Sequence, residues 1–280
     1  MPTTKVLITV KTYPTISSKY DELVCTAGFT EDGQWIRIYP IQFRKKLYSE
    51  QYKKYDWIEL DLVKNKSDFR PESYRPYSFD NEIKIVGNID TKNNWRERKN
   101  IVLKKVYNNL SELVDEAHNK NICTSLATFK PANILDFKIE TVEREWDKTK
   151  IAKLEAEQKQ GNLLKQPDNP FEVVRKLPYK FSYLFQDNAG TQSKLMIEDW
   201  EIGQLFWNCL SKHEGNEHKA CEDVRRKYYD DFAKTKDLYF FLGTTQLHHY
   251  VSKNPFMIIG VFYPKKEQIQ PSFFSIKNEK

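Results

Sequence analysis

Glycine is scarce, with 9 residues in a chain of 280. A phosphate-cradling loop needs clustered glycines so that the backbone can approach its ligand, and neither G-x-x-x-x-G-K-[ST] nor G-x-G-x-x-G occurs. Nucleotide sites of those two types are therefore not expected. The 4 cysteines are too few to staple a chain of this length, which suggests a reducing, cytoplasmic setting. Cys25, inside the apolar stretch "ELVCTAGF", reads as a small buried hydrophobe. No apolar run approaches the ~20 residues that span a bilayer. The start, "MPTTKVLITVKTYP", lacks the charged beginning and small-residue end of a secretory signal and reads as a strand.

Aromatic residues are abundant at 14%, beside 39% hydrophobic and 30% charged residues, a balance that excludes general disorder. The formal net charge of +6 favours acidic partners such as nucleic acid without demanding them. The length suggests two domains.

"KVLITVKTYP" and "ELVCTAGF" read as strands, and TEDG turns the chain into a third, "QWIRIYPI". "DWIELDLV" alternates Trp57, Glu59 and Asp61 with Ile58, Leu60 and Leu62, and "NEIKIVGNI" adds one more strand. Five short strands in so little chain predict a small antiparallel β-barrel. From Trp95 the pattern becomes helical, with Ser111 expected to cap a second helix. A charged helix and a connector follow over 146–170. "LPYKFSYLFQDNAGTQSKLMIEDWE" then predicts a hairpin around Asp187–Gly190, Asp199 is placed to cap a helix, a second helix covers "EHKACEDVRRKYYDDFAKT", and two apolar strands close the pattern. The expected class is α+β: a barrel with trailing helices over 1–145, the 146–170 connector, and a ββααββ unit over 171–280 with an antiparallel sheet and a helical hairpin. The stretches "WIRIYP", "EDWE" and "GVFYP" resemble an uncharacterised bacterial family; the resemblance implies no activity and no site residue.

Trp35, Arg37 and Tyr39 alternate along one strand and therefore share a face, while Ile36 and Ile38 face the barrel interior. Exposed aromatics stack on bases and a guanidinium pairs with phosphate. Arg44, Lys45 and Lys46 follow directly, Tyr74 and Arg75 lie in "YRPYSF", and Lys53 and Lys54 in "FRKKLYSEQYKKY". These residues are the candidate surface for single-stranded or modified-base nucleic acid. The simpler reading packs Trp35 and Tyr39 under helices and pairs Arg37 with Glu59 across the sheet.

Two rival functions are carried alongside. A metal-dependent nuclease or nucleotide-processing enzyme would draw on carboxylates such as Asp61, Asp136 and Glu198, with Asp136-Phe137-Lys138 supplying a D-x-K triplet. A protein-interaction adaptor would use the same exposed aromatics and arginines. Cys209, His213, His218 and Cys221 have a spacing compatible with tetrahedral zinc, but an apolar stripe including Leu205, Phe206, Leu210, Val224 and Tyr228 explains the hairpin without metal. Neither a metal nor a cofactor is expected. His248 and His249 are placed in a loop, where paired histidines are expected to be exposed.

Overall fold

The computed structural model describes residues 3–17, 21–41, 43–78, 81–149, 151–152 and 174–267; the side chains of 17, 21–23 and 45 lie outside the description. Strands β1 (Thr3–Lys11), β3 (Asp21–Thr30), β4 (Trp35–Ile41), β5 (Asp56–Lys64) and β6 (Ser73–Pro76) close into a ring in the order β1-β3-β4-β6-β5, with β5 returning to β1. The expected barrel is present. Its β4–β6 seam is parallel and the other seams are antiparallel. Short β2 (Thr15–Ser17) extends β3, and β7 (Lys84–Asn88) pairs with β5 outside the ring.

Alternation determines the barrel interior. Val6, Ile8, Ile36, Ile38, Ile58, Leu60 and Leu62 point inward and are buried together, capped by Phe43 and Tyr52 from the segment that follows β4. Part of the other face of the same strands is covered as well. Leu7, Ala27 and Phe29 pack with Phe241, Ile259 and Phe262 from the far end of the chain, because the second half docks flat against the barrel wall.

Helix α1 (Lys92–Val102) leads to β8 (Val106–Tyr107) and α2 (Leu110–His118). The cap of α2 is Asn109, whose side-chain oxygen accepts from the amides of Ser111 and Glu112, so Ser111 is inside the first turn and not the cap the sequence suggests. β9 (Leu126–Phe129) joins β13 (Tyr239–Thr244), β14 (Phe256–Phe262) and β8 in one sheet; β10 (Asn133–Thr141), β11 (Tyr179–Gln186) and β12 (Gln192–Met196) form another. The β10–β11 pairing runs across the 146–170 segment that reads as a connector, since strands pair by burial of their faces and not by nearness in sequence.

Helices α3 (Trp200–Lys212) and α4 (Glu217–Arg225) form the expected hairpin, and the chain continues from α4 through wider π-type turns over Arg226–Ala233. Asp199 caps α3 as expected, accepting from Glu201 N at 3.3 Å. Ile202, Phe206 and Cys209 turn into the core with Val224 and Tyr228, so the hairpin is held by apolar contact. No helix among the described residues is long and apolar enough to cross a membrane.

Candidate nucleic-acid interface

Trp35, Arg37 and Tyr39 occupy the outward face of β4, but docking of the second half covers much of it. Arg37 is buried, with 2% of its surface exposed. Its Nη1 donates to Ser125 Oγ at 2.9 Å, and its Nη2 donates to the carbonyls of Ser125 at 3.2 Å and Thr244 at 3.4 Å. The carboxylate it faces is Glu72 at 3.6 Å, in place of the Glu59 partner expected across the sheet. Glu72 in turn accepts from Ser125 Oγ. Burial, with Arg70 as a neighbouring cation, lowers the guanidinium's pKa. Arg37 is thus a buried tie between barrel and second half and not a phosphate-facing cation.

Trp35 packs at 4.0 Å on Phe29 and at 5.5 Å edge-on to Phe241. With Tyr74 it lines a cavity of about 540 Å³ rich in hydroxyls, among them Thr30, Tyr107, Thr124 and Ser125. Tyr39 is half-buried and precedes Pro40 through a cis peptide. Lys46 Nζ donates to the carbonyl of Asn81 at 2.8 Å, and exposed Arg75 to that of Pro76 at 3.3 Å. The backbone of Lys45 lies in a short turn over Phe43–Lys45, and its side chain is outside the description. The candidate residues whose side chains are described therefore do not form one surface.

A different set does converge. Trp200, Gln204, Trp207, Asn208 and Ser211 recur on one stripe of α3, spaced so that each lies near the next turn's residue on the same side. This stripe faces Phe43, Arg44 and Gln51 of the barrel, with Tyr13, Val174 and Arg175, around a cavity of about 540 Å³. On the other side of Trp200 lies a cavity of about 400 Å³ lined by Lys11, Lys53, Lys54, Tyr55, Thr91, Trp95, Arg98, Glu201, Val261 and Tyr263. Trp200 is the shared wall, so the two cavities adjoin as one groove between barrel and helix.

The groove walls are held firmly. Trp207 Nε1 donates to Tyr13 Oη at 2.8 Å, Tyr13 Oη donates to the Arg175 carbonyl at 2.8 Å, and the Arg175 guanidinium lies 4.0 Å from the Trp207 ring centre. A Cβ on Gly203 would meet the Tyr13 ring at 2.2 Å, so this helix position needs glycine for the ring to sit where it does. In the second cavity, Asn93, Asn94 and Trp95 adopt left-handed φ angles of 49°, 51° and 63°. Reciprocal bonds between Asn94 and the backbone of Lys265, at 3.0 and 2.8 Å, hold that unfavourable run in place. It presents Trp95 beside Arg98, whose guanidinium stacks 3.7 Å from the Tyr55 ring centre.

Electrostatically, the second cavity contains a fixed pair and a costly cation. Lys54 Nζ reaches both Asp199 oxygens at 2.9 and 2.8 Å and Glu201 at 3.0 Å. Burial pushes Asp199 up to about 6 against the pull of Lys54, while the two carboxylates outweigh burial and raise the pKa of Lys54. Lys11 Nζ, by contrast, has one hydrogen bond among the described residues, to the Tyr52 carbonyl at 3.2 Å, and sits 4.4 Å from the Phe43 and 5.3 Å from the Trp200 ring centre. Burial, aided by the charge of Lys54, lowers its pKa to about 8.

A stability effect follows for Lys11→Met. The folded protein releases this proton more readily than the unfolded chain, so the wild type pays the full cost of the charged amine below about pH 8 and recovers it as pH rises toward 10.5. The variant is expected to be more stable than the wild type at neutral pH, on the order of 2 kcal/mol, with the gap closing in alkali. Urea titrations across that pH range check it, and a variant less stable at neutral pH contradicts the assignment of Lys11 as a costly buried cation.

The carboxylates and the zinc-compatible residues are dispersed. Asp136 is engaged by Lys138 at 2.7 Å and Arg225 at 3.0 Å, Asp61 accepts from Thr3 at 2.9 Å on the barrel, and partly buried Glu198 is pushed up to about 7 by burial. Cys209 and Cys221 are in the core, His213 bonds Asp223 at 2.8 Å and His218 is exposed. Among the described residues no three His, Cys, Asp or Glu side chains gather as a metal site. His249, expected at the surface with His248, is fully buried: Nε2 donates to the Ala117 carbonyl at 2.8 Å and Nδ1 accepts from Thr244 Oγ1 at 2.8 Å.

Residues 2–104 match the family described as Domain of unknown function (DUF8758). No curated protein matches the sequence. Among solved structures, a murine DNA-binding protein bound with double-stranded DNA is similar at a TM-score of 0.32 and 10% identity, over 97% of this chain and 100% of that one, too slight a likeness to bear on fold or function. Residues 105–277, more than half of the chain, match the family described as Domain of unknown function (DUF8757), and the protein belongs to that family.

Proposed function

We propose that the protein binds single-stranded or locally unpaired nucleic acid in the groove around Trp200. The observation that carries this reading is the lining of the two adjoining cavities. Arg44 and Arg175 border one, Lys11, Lys53, Lys54 and Arg98 the other, interleaved with Phe43, Trp95, Trp200, Trp207 and Tyr263. Cations along a groove follow a phosphate backbone, and aromatic rings accept bases of any sequence by stacking. Glu201 offsets part of the positive charge through its bond to Lys54, while Lys53 and Arg175 are exposed cations of the groove. Of the residues singled out in the sequence, Arg44 belongs to this groove, together with its neighbours Lys53 and Lys54.

The test is fluorescence anisotropy of labelled single strands across a salt series. Binding is expected to weaken steeply with salt, because counterions displaced from phosphate return. Lys53→Ala with Arg175→Ala, two exposed side chains, should reduce affinity and flatten the log–log salt slope by roughly 0.7 per lost phosphate contact. Undetectable binding at low salt, or an unchanged slope in the double variant, refutes the groove as the site.

A further inference from the structure

We infer that the cavity on the Trp207 side of Trp200 takes a single unpaired nucleobase, read at its hydrogen-bonding edge by the side-chain amides of Gln204 and Asn208. This rests on the nucleic-acid reading of the groove and deepens it. The two cavities differ in chemistry. The Trp95 side gathers four cations, Lys11, Lys53, Lys54 and Arg98, with one exposed carboxylate, Glu201. Among its described lining residues the Trp207 side has two cations, Arg44 and Arg175, and no carboxylate; three amides, Gln51, Gln204 and Asn208, and the hydroxyl of Ser211 stand beside aromatic walls. A nucleotide has the same division, an anionic phosphate and a flat, neutral base with alternating donors and acceptors.

Gln204 and Asn208 lie one turn apart on α3, so their amides project from the same side of the helix, Gln204 between the turns that carry Trp200 and Trp207 and Asn208 directly after Trp207. Neither makes a side-chain hydrogen bond among the described residues, whereas Gln51 donates to the Lys46 carbonyl at 3.0 Å and retains its oxygen as an acceptor. An amide offers two donors and an acceptor, which suits the edge of a base and suits phosphate poorly on its acceptor side. The Trp207 indole is fixed by Tyr13 and Arg175, so its ring is already oriented before a ligand arrives. A rigid ring loses little conformational entropy when a base stacks on it.

The experiment compares two probes of equal length: a single strand carrying 2-aminopurine, whose fluorescence falls on stacking, and a strand of abasic phosphodiester units. Wild-type protein should bind the base-bearing strand more tightly than the abasic one and quench the 2-aminopurine. Trp207→Ala, and separately Gln204→Ala with Asn208→Ala, should each weaken the base-bearing strand by about tenfold or more and leave the abasic strand unaffected. Thermal melts of both variants show whether each is folded, and the amide pair serves as the test if loss of Trp207 unfolds the protein. Equal, salt-sensitive binding of both strands by the wild type overturns the base pocket while leaving the groove reading intact. Binding of neither strand at low salt removes both.

Discussion

Arg37→Met is expected to destabilise the protein by about 3–5 kcal/mol, because it removes the cation from a buried pair and strands its partners. Glu72 loses its facing charge, and the Ser125 carbonyl and hydroxyl lose a donor in the interior. Methionine restores most of the volume, so the effect reports on polar groups left unpaired more than on a cavity. For a chain of this size the shift in Tm should be about 10 °C. Denaturant unfolding followed by tryptophan fluorescence measures it, and a loss below about 1 kcal/mol shows that the network is dispensable. The consequence for binding studies is direct: weakened nucleic-acid binding by an Arg37 variant reports instability, and affinities must be compared on folded protein only.

Lys54→Met should be comparably damaging, with a pH signature set by Asp199. The side chain of Asp199 is fully buried at the start of α3, and Lys54 is the cation in contact with both of its oxygens. Without that cation the carboxylate is left unpaired, again at about 3–5 kcal/mol at neutral pH. Burial already holds Asp199 up to about 6, and removal of the opposing charge raises it further. A carboxyl whose folded pKa lies above its unfolded value stabilises at low pH, and that contribution is lost as pH rises through the folded value. The deficit of the variant relative to wild type should therefore narrow toward about pH 5 and widen above neutrality. A deficit independent of pH, measured by urea titration across that range, counts against a charged Asp199 as its origin.

The sequence exposes the barrel because each of its strands carries its own evidence. Ile36 and Ile38, or Ile58, Leu60 and Leu62, alternate with polar neighbours, and a closed ring buries one face of every strand. Alternation separates two faces but does not say what covers the second. Arg37 looks exposed in "QWIRIYPI" because the strands that bury it, β9 and β13, arrive about 90 and 200 residues later. His249 misleads for the same reason: Ala117, whose carbonyl accepts its hydrogen bond, lies on α2. The groove is harder still, since it draws on residues near 11, 43–55, 95–98, 175 and 200–211. One local signal was present, the Trp200, Gln204, Trp207, Asn208 and Ser211 stripe, polar and aromatic on a helix whose opposite side already supplies the core residues Ile202, Phe206 and Cys209. Its two tryptophans pack against the cores on either side, so the stripe stands out by its amides, Gln204 and Asn208, more than by its rings.

The two family matches divide the chain at 104/105, and among the described residues the pairings within the three sheets keep to one side of that point. The groove does not: Lys11 and 43–55 belong to the first part, Arg175 and α3 to the second. A ligand that fills it touches both parts at once and cannot be held by either alone. Occupancy and docking are then linked equilibria, and a saturating ligand tightens the junction by RT ln(1 + [L]/Kd). Reciprocally, a mutation that loosens the junction weakens the ligand in proportion to the fraction of molecules it leaves undocked, even from the far side of the barrel where nothing touches it.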